Sequence, residues 1–235
     1  MDKPSNPYAT PVAASDQVDA SNLQGTYGPF RNNGTLKKIL VSLLVIDAML
    51  NIFNTGILNY MDMQQYENTE YLLSEDTSQL DNIIGIGGLA HAGLNIILII
   101  FFCIWINRSC KNAWLLDPPR MSVTPGWSVG YFFIPILLLW KPYTAMKEIR
   151  SASYGKDHAL KAVLPLWWTF WLMTMLIGNI TFRIYMNSDD TESYLMACKL
   201  DLVATPLNVV LDYLAIALVT GITLAQQRRL KNWHQ

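Results

Sequence analysis

Four long runs of apolar residues, separated by polar stretches, dominate the chain. Each run is long enough to cross about 30 Å of hydrocarbon as a helix, which takes about 20 residues. A soluble helical bundle is the alternative, but its helices would each carry a charged stripe, and these runs contain almost no charge. The pattern predicts an all-α membrane protein with four transmembrane helices, at about residues 39–60, 83–106, 163–186 and 202–225.

A fifth apolar segment, residues 127–140, is too short to cross the membrane as one helix. It contains Pro135 near its middle and has a tryptophan at each end. Tryptophan favours the membrane–water interface, and proline favours a break in a helix. We predict a re-entrant or interfacial segment between the second and third spans.

Residues 142–153 follow this segment and have the pattern of a short helix. Pro142 suits the first helical position, and Ala145, Met146, Ile149 and Ala152 share one face of a helical wheel. We predict an amphipathic cytoplasmic helix that lies on the inner leaflet, with its basic residues near anionic lipid. A surface that docks a partner is the alternative for the same face.

The two ends of the chain are polar. Residues 1–34 are rich in Pro, Ser, Asn and Ala and lack the apolar stretch of a signal peptide. We expect a disordered cytoplasmic tail over 1–34, a single membrane domain over 35–230 and a second cytoplasmic tail over 231–235.

The charge distribution distinguishes the possible topologies. Only 15% of the residues are charged, against about 25% in soluble domains. If residues 127–140 do not cross, 15 of the 17 Lys and Arg residues fall on one side and 10 of the 18 acidic residues lie in the opposite loops. If the segment crosses, this bias disappears. The positive-inside rule therefore favours four spans in the cell membrane, with both termini cytoplasmic.

Polar residues recur at helical spacing inside the predicted spans. They are Asp47, Asn51 and Asn54 in the first span, His91 and Asn95 in the second, and Asn208 and Asp212 in the fourth. A residue such as Asp47 costs about 2.5–3.5 kcal/mol at mid-depth in lipid, so these faces are expected to meet inside the bundle. Asn59 drifts off the face of Asp47 in α-helical geometry and is predicted to lie at the outer interface.

Two interpretations of this candidate intramembrane site remain open. The polar side chains either hold the helices together through hydrogen bonds or form a proton- or cation-handling cavity. The first interpretation favours an accessory or interaction subunit of unknown biochemical activity. The alternative is a small proton- or cation-linked transporter or channel component that uses Asp47, His91 and Asp212.

Other chemistry is not indicated. The chain contains no catalytic motif, so an enzyme is not expected. Its three cysteines, Cys103, Cys110 and Cys198, lack the spacing of a metal site, and we expect neither metal nor cofactor. The glycines at 85–88 lack the context of a phosphate-binding loop, and Gly88 with Ala92 is expected to allow close helix packing. The expected partners are the lipid bilayer and a membrane protein or second copy of the chain, and nucleic acid is not expected.

A series of residues around the short segment follows an order typical of one family. The series is Trp105, Arg108, Asn112, Pro125, Gly126, Trp127, Pro135, Trp140, Pro142, Tyr143 and Glu148, followed by the pair Trp167 and Trp168. It resembles the bacterial "domain of unknown function 4328" membrane family over roughly residues 35–230. The resemblance implies a small bacterial multi-span protein and implies no activity.

Overall fold

The computed structural model describes residues 25–67, 77–155, 160–187 and 190–233. Within these ranges the chain is helical and contains no strand, so the predicted all-α class is confirmed. The elements are α1 (Gly34–Leu50), a π-helix (Asn51–Leu58), α2 (Asn59–Glu67), α3 (Thr77–Leu116), α4 (Pro125–Gly130), α5 (Lys141–Tyr154), α6 (Val163–Asn187) and α7 (Thr191–Trp233).

Three stretches are long and apolar enough to cross a membrane: Leu80–Leu116 in α3, the whole of α6, and Thr191–Lys231 in α7. The α6 bounds match the predicted span 163–186. The other two helices extend well beyond their predicted spans, since a helix of 40 residues such as α3 is about 60 Å long. The three apolar helices indicate a membrane-embedded protein.

The first predicted span, 39–60, falls on an interrupted helix. The α1 helix has only 17 residues, and the backbone then widens into the π-helix, where the Asn59 N–H donates to the Asn54 carbonyl, five residues back. This stretch is not one of the three candidate spans found in the described part of the chain. A fourth span therefore stays a prediction.

Residues 127–140 form a series of short turns. The α4 helix is followed by 3-10 turns at Tyr131–Phe133 and Leu137–Leu139, with Pro135 in the bend between them. Apolar side chains project outward along the segment, and Trp127, Phe133, Ile136, Leu139 and Trp140 are all exposed. Whether the segment is re-entrant or interfacial stays a prediction.

A stripe of leucines begins the buried face of the first helix. Leu36, Leu40 and Leu44 recur every four residues on α1 and are buried, as the helical period requires. They belong to the hydrophobic core, whose other members come from α3, α5, α6 and α7. These include Trp105, Ile106, Met146, Ile149, Leu164, Leu218, Val219 and Ile222.

The α5 helix has the predicted position but not the predicted surroundings. Its apolar face, formed by Ala145, Met146, Ile149 and Ala152, is fully buried. The helix packs against α3 and α7 of the same chain. The prediction that this face lies on the inner leaflet or docks a partner is therefore wrong, because the protein core already covers it.

Parts of the two predicted tails lie within the described residues. Residues 1–24 lie outside the described residues, but Tyr27 stacks on Trp114 with ring centroids 5.2 Å apart. Both backbone polar groups of Arg31 bond to the Asn112 side chain on α3, at 2.9 and 2.8 Å. At the other end α7 continues to Trp233, so helix extends into the predicted tail 231–235.

Candidate functional site

The Asp47 carboxylate links the first helix to α3. Its Oδ1 atom lies 3.1 Å from His91 Nε2 and accepts a 3.3 Å hydrogen bond from Asn95 Nδ2. His91 and Asn95 are four residues apart, so α-helical geometry places both on the face of α3 that meets Asp47. Asn95 also bonds to the His91 carbonyl at 3.1 Å, which helps to fix its orientation. Asp47 is largely buried, with 9% of its surface exposed to solvent.

The π-helix continues the polar face that begins at Asp47. A π-helix turns by a smaller angle per residue than an α-helix, because each hydrogen bond reaches five residues back. Asn51, Asn54 and Asn59 are consequently all buried. Asn59 donates to the Cys198 carbonyl on α7 at 2.9 Å. The prediction that Asn59 leaves this face was wrong, because it assumed α-helical geometry throughout.

The Asn54 side chain contacts α3 at a glycine. Its Nδ2 atom donates to the Gly87 carbonyl at 3.2 Å. A Cβ atom at Gly87 would lie 2.3 Å from Asn54 Oδ1, whereas one at Gly88 would meet nothing within 4 Å. Close packing therefore depends on Gly87 rather than on Gly88, and Ala92 is exposed as well.

Asp212 is the least satisfied polar residue on α7. It is 7% exposed, and its Oδ2 atom is buried without a hydrogen-bond partner in the described part of the protein. Asn208 lies one turn earlier on the same helix and shares its face. Asp201, two helical turns before Asn208, instead accepts a 3.1 Å hydrogen bond from Tyr185 on α6.

A cavity of about 330 Å³ brings the two acidic helices together. Its polar lining is Asp47, Asn95, Asn208 and Asp212, contributed by α1, α3 and α7. Its aromatic lining is Phe102, Phe132, Phe133, Trp167 and Trp171, contributed by α3, the short segment and α6. The cavity thus combines two carboxylates and two amides with an apolar lining that is partly aromatic.

Four of the seven candidate site residues line this cavity. His91 contacts it through Asp47, whereas Asn51 and Asn54 are buried on the first helix outside the lining. Asn51 Oδ1 and Asn54 Oδ1 are further buried oxygens without a hydrogen-bond partner among the described residues. Nowhere in the described ranges do three or more His, Cys, Asp or Glu side chains converge as a metal site would require.

A second polar cluster lies where α3, α5 and α7 meet the N-terminal segment. Asn112 Nδ2 donates to Gln226 Oε1 at 3.1 Å, and Gln226 Nε2 donates to the Ser109 carbonyl and to Ser153 Oγ at 2.9 and 3.0 Å. Gln226 is 1% exposed. A lone glutamine beyond a predicted span has no distinguishing pattern, so Gln226 could not be identified from the sequence.

Several signature residues stabilise the turns that lead into and out of the short segment. Glu148 on α5 accepts hydrogen bonds from the backbone N–H groups of Ser122 and Val123, at 2.8 and 3.0 Å. The Pro125 carbonyl accepts from Asn107 Nδ2 at 2.9 Å. Pro142 lies in the first turn of α5, where its missing N–H costs nothing.

The other signature residues have simpler surroundings. Trp105 is fully buried and donates to Thr223 on α7 at 3.0 Å, and the Tyr143 ring lies 6.4 Å from that of Trp168. Arg108 is half-buried, and a Cβ atom at Gly126 would meet nothing within 4 Å.

A third polar cluster surrounds α2, at the other end of the bundle. Tyr194 on α7 donates a hydrogen bond to Asp62, which is 1% exposed. Burial raises the pKa of the Asp62 carboxyl; the hydrogen bond from Tyr194 opposes this shift and the charge of Asp81 adds to it. Lys199 pairs with Glu67 at 3.5 Å beside this cluster.

Comparison with known proteins identifies the family. The model of the Domain of unknown function (DUF4328) matches residues 69–224, which is more than half of the chain. The chain belongs to this family. The match includes His91, Asn95, Asn208 and Asp212, while the DUF4328 model does not extend to the first helix and Asp47. No curated protein and no solved structure matches the chain.

Proposed function

We propose that this DUF4328 protein crosses the inner membrane four times, with both termini in the cytoplasm and residues 127–140 entering the membrane and returning. The almost complete separation of basic from acidic loops supports this topology. We assign the fourth span to the run from α1 through the π-helix, because the backbone stays helical from residue 34 to 67 although the π-helix interrupts its α-helical geometry.

The surroundings of α5 support a re-entrant segment. Glu148 binds Ser122 and Val123, a few residues before the segment, and α5 begins at Lys141, directly after the segment. Lys141 and Glu148 are about 10 Å apart along a helix axis. Flanks that lie this close support a segment that enters the membrane and returns, since crossing would separate its ends by about 30 Å.

We infer that the cavity binds a cation in exchange for protons, as a small proton- or cation-linked transporter or channel component would. The observation that carries this proposal is the buried Asp212 Oδ2, which lacks a partner in the described residues and belongs to a cavity that Asp47 also lines. An oxygen whose role was to hold helices together would have a hydrogen-bond donor.

Electrostatics explains why such a cavity would take a cation. An isolated ionised carboxylate is costly in a low-dielectric interior, and a second one nearby increases that cost by repulsion. His91 bonds to Asp47 but does not reach the Asp212 side of the lining. A bound cation between the acids, or a proton on one of them, would supply the missing compensation.

Proteoliposomes provide the test. A gradient of sodium, potassium or a small organic ammonium ion should drive a pH change inside vesicles that contain the wild-type protein, and Asp212→Asn should reduce its rate at least tenfold. Asp81→Asn is the matched control, because Asp81 is an exposed acid on α3 outside the cavity lining. Equal rates for wild type and Asp212→Asn, with both proteins folded, would refute the proposal.

An accessory or interaction subunit is the second candidate. It is favoured by hydrogen bonds that join different helices, from Asn54 to Gly87, from Asn59 to Cys198 and between Asp47 and His91. Such bonds contribute about 0.6–2 kcal/mol each in membranes. This candidate predicts a membrane-protein partner that co-purifies stoichiometrically in mild detergent, together with unchanged cellular function of Asp212→Asn.

A further inference from the structure

We propose that the cavity takes an organic ammonium ion with an apolar body, rather than an inorganic cation. This inference rests on the proposed function, because it names the ligand class of the same site. Three features carry it: the division of the lining into acidic and aromatic parts, the cavity volume, and its position at the outer surface of the bundle.

The two parts of the lining come from different elements. Asp47 and Asp212 belong to α1 and α7, whereas Trp167 and Trp171 belong to α6 and Phe132 to the short segment. The Phe132 and Trp171 rings meet edge to face with centroids 6.3 Å apart. Carboxylates attract an ammonium group, and aromatic faces attract both a cation and an apolar body. An amphiphilic cation satisfies both parts at once.

The volume and the number of ligands argue against a bare metal ion. A cavity of about 330 Å³ falls within the range of about 300–1,000 Å³ that is typical of small-molecule pockets. A hard cation such as Ca²⁺ needs about six to eight oxygen ligands close around it. The four polar side chains of the lining offer at most six oxygens, Asp47 Oδ1 is already engaged by His91 and Asn95, and the rest of the lining is apolar.

The cavity also reaches the outer surface of the bundle. Ile99 on α3 and Phe133 on the short segment both line it, and they are 53% and 66% exposed. In the proposed topology this surface faces lipid. An amphiphile dissolved in the bilayer could therefore enter between α3 and the short segment without passing through water.

A phospholipid amine would present the same ammonium chemistry. Its phosphate, however, would place negative charge near Asp47 and Asp212, which is unfavourable. We therefore assign the site to a free ammonium compound.

The test uses benzyltrimethylammonium, which carries a permanent charge, and its uncharged carbon isostere, (2,2-dimethylpropyl)benzene. Binding of the radiolabelled cation to the purified full chain in mild detergent is measured by equilibrium dialysis. We expect saturable binding that is at least tenfold weaker for Asp212→Asn and unchanged for Asp81→Asn. The unlabelled isostere should compete at least tenfold less well than the unlabelled cation. Trp171→Leu should weaken binding roughly twofold to thirtyfold, as loss of a cation–π contact does.

Competition within the wild-type protein keeps the test independent of how well the variants fold. Equal competition by the uncharged isostere, or stronger competition by phosphatidylethanolamine, would overturn the assignment. Failure of the ammonium ion to bind, with sodium- or potassium-driven proton flux that still depends on Asp212, would overturn this inference and leave the proposed function intact. If neither ammonium binding nor Asp212-dependent proton flux is observed, this inference and the proposed function are both overturned.

Discussion

At the scale of single residues, the contact between the first helix and α3 depends on a glycine, Gly87, which has no side chain to collide with Asn54. A Cβ atom at Gly87 would lie 2.3 Å from Asn54 Oδ1, so Asn54 would have to move and lose its hydrogen bond to the Gly87 carbonyl. A buried amide without partners costs about 1–3 kcal/mol.

Gly87→Ala should therefore be less stable than Gly88→Ala by about 1–2 kcal/mol. Both substitutions gain the same helix propensity, about 1 kcal/mol, and Gly88 has open space around its Cβ position. Apparent melting temperatures in detergent measure the difference. A Gly87→Ala protein as stable as Gly88→Ala would show that Asn54 relaxes without cost.

Asp62 makes a pH-dependent contribution to stability. Burial raises its folded-state pKa, so the folded protein holds this proton to higher pH than the unfolded chain does. The contribution is fully present below the unfolded pKa of about 3.9 and is lost as the pH rises through the folded pKa.

Asp62→Asn removes this titration and keeps an oxygen to accept the bond from Tyr194. The melting temperature of Asp62→Asn relative to wild type should therefore increase between about pH 4 and pH 7. Exposed Glu192→Gln serves as the comparison, because it removes a surface acid that does not contribute to the Asp62 shift. A relative melting temperature that falls with rising pH would contradict the assigned shift.

At the scale of elements, Gln226 ties α7 to both α3 and α5. It bonds to Asn112, to the Ser109 carbonyl and to Ser153. Gln226→Ala removes these three buried hydrogen bonds and should lower stability by about 1–3 kcal/mol. The neighbouring Gln227→Ala is the matched control, because Gln227 makes only a surface bond, to Asn32, and should change stability by about 0.5 kcal/mol or less. Equal losses in thermal unfolding would contradict this role for Gln226.

The positions and surroundings of some helices could be predicted from the sequence better than those of others. Uninterrupted apolar runs predict helix position well, so the predicted span 163–186 agrees with α6, Val163–Asn187. A helical wheel shows which residues of α5 share a face but not what covers that face, and its apolar side turned out to lie in the core. The π-helix carries no sequence signal of its own, because it depends on how the first helix packs.

The candidate site, like the helices, could be predicted from the sequence only in part. Spacing along each helix placed Asp47 with Asn51 and Asn54, and Asn208 with Asp212, on common faces. Which face meets which depends on tertiary packing that spacing does not contain. The contact between Asp47 and His91, and the aromatic residues that line the cavity, could therefore be identified only from the structure.

At the scale of the whole molecule, the proposed topology predicts which loops share a side of the membrane. Cysteines introduced in place of the exposed residues Thr124 and Lys161, in a protein without its native cysteines, should react with an impermeant maleimide from the same side. A cysteine in place of exposed Glu192 should react from the other side. Labelling of positions 124 and 161 from opposite sides would make residues 127–140 a true span.

The central claim, that a cation and a proton compete for the cavity shared by Asp47 and Asp212, can be measured directly. Sodium or benzyltrimethylammonium chloride is added to the purified protein in weakly buffered detergent, and the released protons are counted with an indicator dye. We predict release of about one proton per chain with at least one of these cations, retained in Asp81→Asn and absent in Asp212→Asn. No release from the folded wild type with either cation, or equal release from Asp212→Asn, would contradict the claim.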